Sequence, residues 1–463
     1  MLPWLARTII YPLQERAMQR PTFPYLRELE ASQWLSRGEI ENLQLQKLNR
    51  LLKLAVAHSP WHAARMESSG LTAAVTGGTV TAESLRLLPT MTKADARAQV
   101  EAIVWRDVPG GVFQYNTGGS SGEPLIFYYG RERQAADAAG RMRARRWWQV
   151  EPGEREVYLW GAPIELNRTD KVKTLRDRLI NQLVLNAFAM SIPRMDQYLE
   201  DIKAWRPASL YGYASSLSLL AAHAETRGVT LRIPTLRVVC TTGEPLYPHQ
   251  RELLERVFGV PVANEYGCRD GGFIGHEAPG GQMLMVSESN FVEILDPEGA
   301  PVSPGVPGEL VLTGLTSAAQ PFIRYRTGDI VTLSPEPDRS GRGLHVIADV
   351  AGRSTDFVVR EDGTIMHALA VIYVLRAIHG VAQFKCIQHT PTQMEVQVVA
   401  GPAWQSEDGA SIVRGLQARL GDSLHVDLKL QDEIPPEVSG KHRYVVSHVK
   451  LPGSLGGELA NMP

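Results

Sequence analysis

The chain of 463 residues is long enough for two or three domains of ordinary size and for a substantial buried core. Its hydrophobic content of 44%, charged content of 21% and formal net charge of −2 are ordinary for a globular protein and argue against general nucleic-acid binding. The 3 cysteines form no CxxC pair, which excludes a zinc signature and favours a reducing, cytoplasmic location over a disulfide framework.

The N-terminus carries a short apolar patch, from Trp4 to Leu13, which Arg7 interrupts. A secretory signal would need a longer apolar stretch followed by a small-residue cleavage site. The sequence also contains no run of about 18 apolar residues, the length that a membrane-spanning helix requires. We expect the patch to be a docked amphipathic segment, and a weak contact with a membrane surface is the alternative.

The first part of the chain is predicted to be helical. Residues 26–68 are predicted to be helical, with leucines at helical spacing until Pro60 stops the leucine pattern. A short helix is expected after Thr92. Two strands, Val112–Tyr115 and Leu125–Tyr129, are predicted on either side of a loop of small residues.

A helix from Arg131 to Trp148 comes next and contains a cluster of arginines and tryptophans. Its members are Arg141, Arg143, Arg145, Arg146, Trp147 and Trp148. Charge runs of this kind are usually solvated faces, so we interpret the cluster as a solvated helix face with a buried tryptophan. The alternative is a docking patch for an anionic acceptor or a membrane.

The middle of the chain alternates between strand and helix patterns, which predicts an α/β architecture with buried, largely parallel strands. The predicted strands are Val157–Trp160, Ser209–Tyr213, Leu236–Thr241 and Val260–Tyr266. The predicted helices are Leu175–Met190, Met195–Trp205, Ser215–Arg227 and His249–Val257.

After Gly271 the pattern becomes mainly β, with strands expected at Glu288–Leu295, Gly308–Gly314 and Asp329–Leu333. From about Thr355 strands and helices mix again, over a stretch long enough for a small α+β domain. We therefore expect a large domain over 1–353, a small domain over 354–463, and a loose tail at the end.

A loop of small residues between the first two strands has a composition that can bind phosphate. It runs Thr117-Gly118-Gly119-Ser120-Ser121-Gly122 and continues into Glu123-Pro124. Glycines allow backbone N–H groups to approach oxygen atoms, and hydroxyls add further donors. The loop matches neither the Walker pattern nor GxGxxG, and a plain flexible turn is the alternative.

Two further motifs follow predicted strands. Gly243-Glu244-Pro245 comes after the strand that ends near Thr241, where a simple strand–helix junction would also explain it. Asn264–Gly272 places Tyr266 beside Gly267, where a ring can stack on a flat base, and its Asp270 can offer oxygen to Mg²⁺. A buried tyrosine at a strand end is the alternative.

The last three motifs lie in the second half of the chain. Asp329 follows a glycine turn, where a carboxylate can accept hydrogen bonds from a ribose diol. Gly352–Asp356 stands where the small domain begins, and Ser439–Arg443 contains Lys441 in a proline-flanked loop. Alone, Asp329 is an ordinary turn carboxylate and Lys441 a solvated loop charge.

Taken together, the order and spacing of these six motifs resemble those of the adenylate-forming (AMP-binding) superfamily. The resemblance covers roughly residues 100–450 and is strongest to the phenylacetate–CoA ligase branch, with its CapK-like proteins of polysaccharide clusters. It implies an α/β adenylate-forming fold in which a large N-terminal domain is joined to a small, mobile α+β C-terminal domain. ATP would lie in the cleft between the two domains.

The resemblance also implies a role for each motif. The nucleotide site would comprise Thr117, Gly118, Gly119, Ser120, Ser121, Gly122, Gly243, Glu244, Pro245, Glu265, Tyr266, Gly267, Arg269, Asp329 and Arg353. Tyr266 would stack on adenine, Asp329 would bind the ribose, and Asp270 would be the metal ligand. Asp356 would lie at the hinge, and Lys441 would be the catalytic lysine.

Two positions depart from the superfamily pattern. The phosphate loop usually carries lysine before its proline, where this chain has Glu123, and the tyrosine motif usually continues Thr-Glu, where it has Arg269-Asp270. Arg269 would then supply part of the missing positive charge, and the direct metal contact of Asp270 would be weaker because aspartate is shorter.

The implied activity is ATP- and Mg²⁺-dependent conversion of a small carboxylic acid to an acyl-AMP, followed by acyl transfer, with coenzyme A as the leading acceptor. An amine acceptor in polysaccharide assembly and a non-catalytic nucleotide-binding scaffold are the alternatives. The acid pocket is assigned to Trp160, Gly161, Ala162, Tyr211, Tyr213 and Ala214. These side chains are apolar or small, which suits an aryl or short acyl group. The sequence indicates no particular oligomeric state.

Overall fold

The structure is a computed structural model that describes residues 2–116, 125–160, 176–187, 190, 192–353, 357–362, 365–367, 369–435 and 443–449. Helices dominate the region before the first strand. They are α1 (Pro3–Leu5), a π-helical turn (Ala6–Ile10), α2 (Tyr11–Ala17), α3 (Thr22–Ser32), α4 (Arg37–His58), α5 (Pro60–Ser68), α6 (Thr72–Gly77), α7 (Ala82–Leu85), α8 (Lys93–Ala98) and α9 (Val100–Ile103).

Local sequence explains where these helices begin. Ser36 and Glu39 form a reciprocal capping box at the start of α4. Pro60 does more than end the preceding helix, because it opens α5 at a position where its missing N–H costs nothing. Thr92 caps α8, which confirms the short helix expected there.

The N-terminal segment is docked on one side, as expected. Ala6 is fully buried, and Tyr11 packs with a cluster that includes Leu26 and Met142. Trp4 and Leu13 stay exposed, so contact with a membrane surface stays a prediction. Among the described residues, no helix is both long and apolar enough to cross a membrane.

Within the described ranges, a central sheet of eleven strands organises the large part of the chain, in the order β10-β11-β12-β13-β9-β8-β7-β6-β5-β3-β4. Its strands are β3 (Glu156–Trp160), β4 (Gln182–Asn186), β5 (Ser209–Tyr213), β6 (Val238–Thr242), β7 (Val262–Cys268), β8 (Gly272–Glu277), β9 (Met283–Met285), β10 (Asn290–Leu295), β11 (Gly308–Gly314), β12 (Tyr325–Leu333) and β13 (Val346–Arg353). A separate hairpin pairs β1 (Val112–Asn116) with β2 (Ile126–Gly130).

The sheet changes character at β7. On one side of the sheet, β7, β6, β5, β3 and β4 are parallel to their neighbours. On the other side, every neighbouring pair from β7 through β8, β9, β13, β12 and β11 to β10 is antiparallel. Helices α11 (Ile192–Trp205), α12 (Ala214–Thr226) and α13 (Pro248–Phe258) connect or follow the parallel strands and share their apolar core. This confirms the predicted α/β architecture.

Helix α10 (Arg131–Trp147) packs against α3 and the sheet, and its arginines are not a solvated face. Arg143 is 1% exposed and Arg145 6%, so both interpretations of the cluster, a solvated face and a docking patch, are wrong. Each of these arginines has an acidic partner: Arg143 pairs with Glu288 and Arg145 with Glu156. The sequence pattern could not show this, because the partners lie far along the chain.

The predicted helix Leu175–Met190 is wrong in its second half, where β4 lies, whereas residues 176–179 are helical. β4 extends the sheet edge, where Leu183 is in parallel register with Val157. Its short apolar run, Gln182 to Asn186, suits either structure by itself, and pairing with β3 decides it. β8, β9 and β13 were not expected at all, since they are short or interrupted by glycine and turn residues.

The C-terminal part forms a small α+β unit, as predicted. Its sheet has the order β18-β17-β16-β19, with α14 (Leu369–Arg376) and α15 (Asp408–Leu420) packed on it. The strands are β16 (Val381–Thr390), β17 (Gln393–Ala400), β18 (His425–Gln431) and β19 (Val445–Ser447), and β14 (Phe357–Val359) pairs with β15 (Ile365–His367). Tyr247 of the large part packs against this unit, with its ring 6.1 Å from that of Tyr444.

Candidate active site

The carboxyl ends of four parallel strands meet at one edge of the central sheet. β3 ends at Trp160, β5 at Tyr213, β6 at Thr242, and β7 carries Tyr266 near its end. Ligand sites in open α/β sheets lie outside the carboxyl ends of the strands. The fold therefore gathers most of the predicted site residues that the structure describes.

Two residues predicted to bind the nucleotide are in direct contact. The Tyr266 hydroxyl donates a hydrogen bond of 2.8 Å to Asp329 Oδ2, although 63 positions separate them in sequence. Arg353 is the register partner of Asp329 across β12 and β13. Tyr266 and Asp329 are thus in contact between β7 and β12, and the backbone of β13 lies beside Asp329 at Arg353.

Asp270 lies in the turn between β7 and β8 and is 9% exposed. Its Oδ2 accepts a 2.6 Å hydrogen bond from the Tyr325 hydroxyl, and its Oδ1 accepts one from the Gly271 backbone N–H. Among the described residues no group of three or more His, Cys, Asp or Glu side chains can hold a metal ion. The role of Asp270 as a metal ligand stays a prediction.

The Gly243-Glu244-Pro245 motif forms the loop between β6 and α13. Gly243 has a φ of 75°, a left-handed conformation that glycine adopts without strain. Glu244 Oε2 accepts a hydrogen bond of 2.9 Å from the backbone N–H of Ser215, in the first turn of α12. The carboxylate thus stabilises the helix start beside the site.

The predicted acid pocket is walled by stacked aromatic rings. The Trp160 ring lies 4.5 Å from that of Tyr213 and 5.6 Å from that of Tyr211, with interplanar angles of 20° and 27°. Ala214 follows directly and begins α12. The other predicted pocket residues, Gly161 and Ala162, lie outside the described residues.

Three further predictions also fall outside the described residues: the phosphate loop Thr117–Gly122, the hinge residue Asp356 and the catalytic Lys441. Gly267 and Arg269 are described, and they lie at the end of β7, where Arg269 is exposed. Their roles toward a nucleotide stay predictions.

Glu265, which was predicted to bind the nucleotide, contacts Tyr211 of the predicted acid pocket. Its Oε1 accepts hydrogen bonds from the Tyr211 hydroxyl at 2.8 Å, from Arg141 Nε at 3.2 Å and from the Thr242 hydroxyl at 3.2 Å. Burial would raise the pKa of the Glu265 carboxyl, but the positive charges of Arg141 and Arg145 hold it below the ordinary value. The group is therefore a buried carboxylate anion.

Arg133 lies beside the candidate site and was not predicted from the sequence. It is 3% exposed, its Nη2 donates a 2.9 Å hydrogen bond to the backbone carbonyl of Arg269, and its guanidinium lies 5.2 Å from the Tyr129 ring. Its Nη1 is buried without a hydrogen-bond partner. The only sequence signal for Arg133 is its place at the start of the helix that follows the phosphate loop.

Two parts of the chain match known protein families. Residues 182–319 match the AMP-binding enzyme family, and residues 358–448 match the CapK C-terminal domain. Protein CapK of Staphylococcus aureus is 22% identical over 93% of this chain and 94% of its own length. A phenylacetate-coenzyme A ligase of Thermus thermophilus is 26% identical over 53% of this chain and 61% of its own length.

The fold is also that of solved coenzyme A ligases. A 2-hydroxyisobutyryl-CoA ligase in its postadenylation state superposes with a TM-score of 0.70 at 18% identity, covering 90% of this chain and 91% of that one. The same ligase in its thioesterification state gives 0.59 at 20% identity, with coverage of 90% and 91%. The two family matches and these relatives together support an adenylate-forming, ATP-dependent ligase similar to CapK and the phenylacetate–CoA ligases.

Proposed function

We propose that the protein activates a small carboxylic acid with ATP as an acyl-adenylate and then transfers the acyl group to coenzyme A. The main support is that neighbouring residues of β7 contact the predicted nucleotide site and the predicted acid pocket. Tyr266 contacts Asp329, and the preceding Glu265 contacts Tyr211 of the acid pocket. Coenzyme A ligases among the relatives and structural neighbours support the acceptor.

The chemistry needs positioning and charge stabilisation more than covalent help from the protein. A carboxylate is a poor acyl donor, and AMP is a good leaving group. A carboxylate oxygen attacks the α-phosphorus of ATP, and the bond to pyrophosphate breaks with its electron pair leaving on pyrophosphate. Asp329 accepts hydrogen bonds from the ribose, and Tyr266 packs against adenine.

The phosphates require positive charge, and this chain has Glu123 where the superfamily has lysine. Arg269, exposed at the end of β7, and Arg133, whose Nη1 lacks a partner, supply it from the large domain. Lys441 supplies positive charge from the small domain. This domain begins after residue 353, and Asp356 is the hinge that joins it to the large domain. Mg²⁺, when bound with ATP, neutralises part of the phosphate charge, and Asp270 offers it one oxygen.

An amine acceptor is the second candidate, and the C-terminal match favours it. Residues 358–448 match the CapK C-terminal domain, and the relative that covers nearly the whole chain is CapK. CapK-like proteins resemble this chain in its motifs and come from polysaccharide clusters, where amino sugars are available. The product would then be an amide.

A panel of carboxylic acids, screened for acid-dependent pyrophosphate release from ATP, tests the first step. The acid that responds is then incubated with ATP and either coenzyme A or amines. Formation of acyl-CoA and AMP is the expected result. An amide formed with an amine, with no thioester formed with coenzyme A, would replace the ligase assignment by the amide-forming one.

A further inference from the structure

A buried carboxylate is expected to have hydrogen-bond donors on both oxygens, and two glutamates of this protein show this arrangement. Glu288 accepts from Arg143 Nη1 at 2.5 Å and from the Ser32 hydroxyl at 2.8 Å on Oε1, and from Arg143 Nη2 at 3.3 Å on Oε2. Glu293 accepts from Arg324 at 2.9 Å and 3.1 Å, one bond to each oxygen. Such pairing is expected, because an unsatisfied buried charge is costly.

Glu265 departs from this rule. Its three donors all converge on Oε1, while Oε2 is buried and has no hydrogen-bond partner. The residue is 5% exposed, so bulk solvent does not compensate the second oxygen. A carboxylate kept ionised with one oxygen unsatisfied is a place where a donor is missing.

Glu265 lies beside the predicted acid pocket. Tyr211, which donates to Glu265, stacks against Trp160 of that pocket.

The unpaired Glu265 oxygen changes the substrate expected from sequence alone, where the pocket residues suggested an aryl or short acyl group. A purely apolar acid would leave Glu265 Oε2 unpaired and would cover a buried charge with hydrocarbon.

We propose that the acid carries a hydroxyl or amino group remote from its carboxylate, and that Glu265 Oε2 accepts a hydrogen bond from that group. Glu265 is thereby a specificity-determining residue for a polar acid. The inference rests on the proposed function, since it names the class of acid that the same site activates.

Matched pairs of acids test the inference. Each pair shares a carbon skeleton and differs by one donor: 4-hydroxyphenylacetate or 4-aminophenylacetate against phenylacetate, and 3-hydroxybutyrate or 3-aminobutyrate against butyrate. Pyrophosphate release reports turnover, and calorimetry with a non-hydrolysable ATP analogue present reports binding. The wild-type protein should prefer the donor-bearing member of at least one pair by about 10- to 150-fold, the range of a hydrogen bond to a charged group.

Glu265→Gln should reduce this preference to less than about threefold. Glu288→Gln is the matched control, because it removes a buried carboxylate that pairs with an arginine of the same helix, and it should keep the preference. Glu265→Asp retains the charge and should retain part of the preference, which guards against loss of folding in the glutamine variant.

Two results would overturn the inference: no preference in any pair with wild-type protein, or an unchanged preference in Glu265→Gln. A donor-dependent binding preference without pyrophosphate release would support the polar pocket and reject the proposed activity. Failure of the inference about the polar acid and failure of the proposed activity therefore give different results.

Discussion

At the scale of single residues, the site depends on contacts between positions that are distant in sequence. The Tyr266–Asp329 hydrogen bond joins β7 to β12, and the Asp270–Tyr325 bond joins the β7–β8 turn to the same strand. Asp329 was predicted to bind the ribose and Asp270 a metal ion, and the structure adds a tyrosine partner for each carboxylate. The partner fixes the carboxylate before a ligand arrives, which is a form of preorganisation.

Asp329→Ala should weaken ATP binding, because the ribose hydroxyls lose a charged acceptor worth about 1.5–3 kcal/mol for each hydrogen bond at most. Calorimetric titration with ATP measures the loss. Tyr266→Phe keeps the ring and removes only the hydroxyl that donates to Asp329, so it should cost much less. Unchanged affinity in Asp329→Ala would remove this residue from the nucleotide site.

At the scale of elements, α10 is held by buried ion pairs rather than by an apolar stripe alone. Its arginines reach acidic residues on β3, on β7 and in the segment before β10. The order of strands and helices was largely predictable, because hydrophobic periodicity is local. Sheet neighbours, the edge strand β4 and the partners of buried charges were not, because they are set by contacts between distant segments.

Arg143→Met should lower the free energy of unfolding by about 3–5 kcal/mol, because it leaves the Glu288 carboxylate buried without its cation. Arg143→Met combined with Glu288→Met should recover most of this loss, since no charge then remains buried. Arg50→Met, which removes an exposed arginine near Glu132, is the control and should change stability by less than about 0.5 kcal/mol. Urea unfolding followed by circular dichroism gives the values, and a small loss in the single variant would contradict the role given to the pair.

At the scale of the whole molecule, the large and small parts meet where Tyr247 packs against the C-terminal unit. Lys441 lies in the small part of the chain and the phosphate loop in the large one. We therefore predict that Lys441 approaches the phosphate loop for adenylation and withdraws for acyl transfer, with a pivot near Asp356.

Lys441→Ala should reduce acyl-AMP formation by about 10²–10³, the usual effect of removing one preorganised charge, with ATP affinity little changed. Transfer from synthetic acyl-AMP should continue, because that step uses the other domain arrangement. Single-turnover assays separate the two steps. Normal pyrophosphate release by the variant would reject both the role of the lysine and the rotation.

The folded molecule should also lose stability in mild acid. Burial depresses the pKa of His62 to about 3 and those of His276 and His345 to about 4. In the unfolded chain these groups titrate near 6.5, so between about pH 6.5 and pH 4 the unfolded state binds more protons. Stability is therefore full above this window and falls as the pH decreases through it.

Each of the three histidines can contribute up to about 1.4 kcal/mol per pH unit in that window. Urea midpoints at pH 7.5 and pH 5.0 measure the loss, and His62→Gln should make the slope shallower. Equal midpoints at the two pH values would show that these histidines are not buried in the neutral form.

Strand β7 has a consequence for how such enzymes diversify. Side chains alternate along a strand, so Glu265 and Tyr266 point to opposite faces although they are neighbours in sequence. We therefore expect a substitution at 265 to alter which acid is accepted while the contact between Tyr266 and Asp329 is retained. New acid preferences would then be reached by single substitutions that leave the proposed ATP contacts intact.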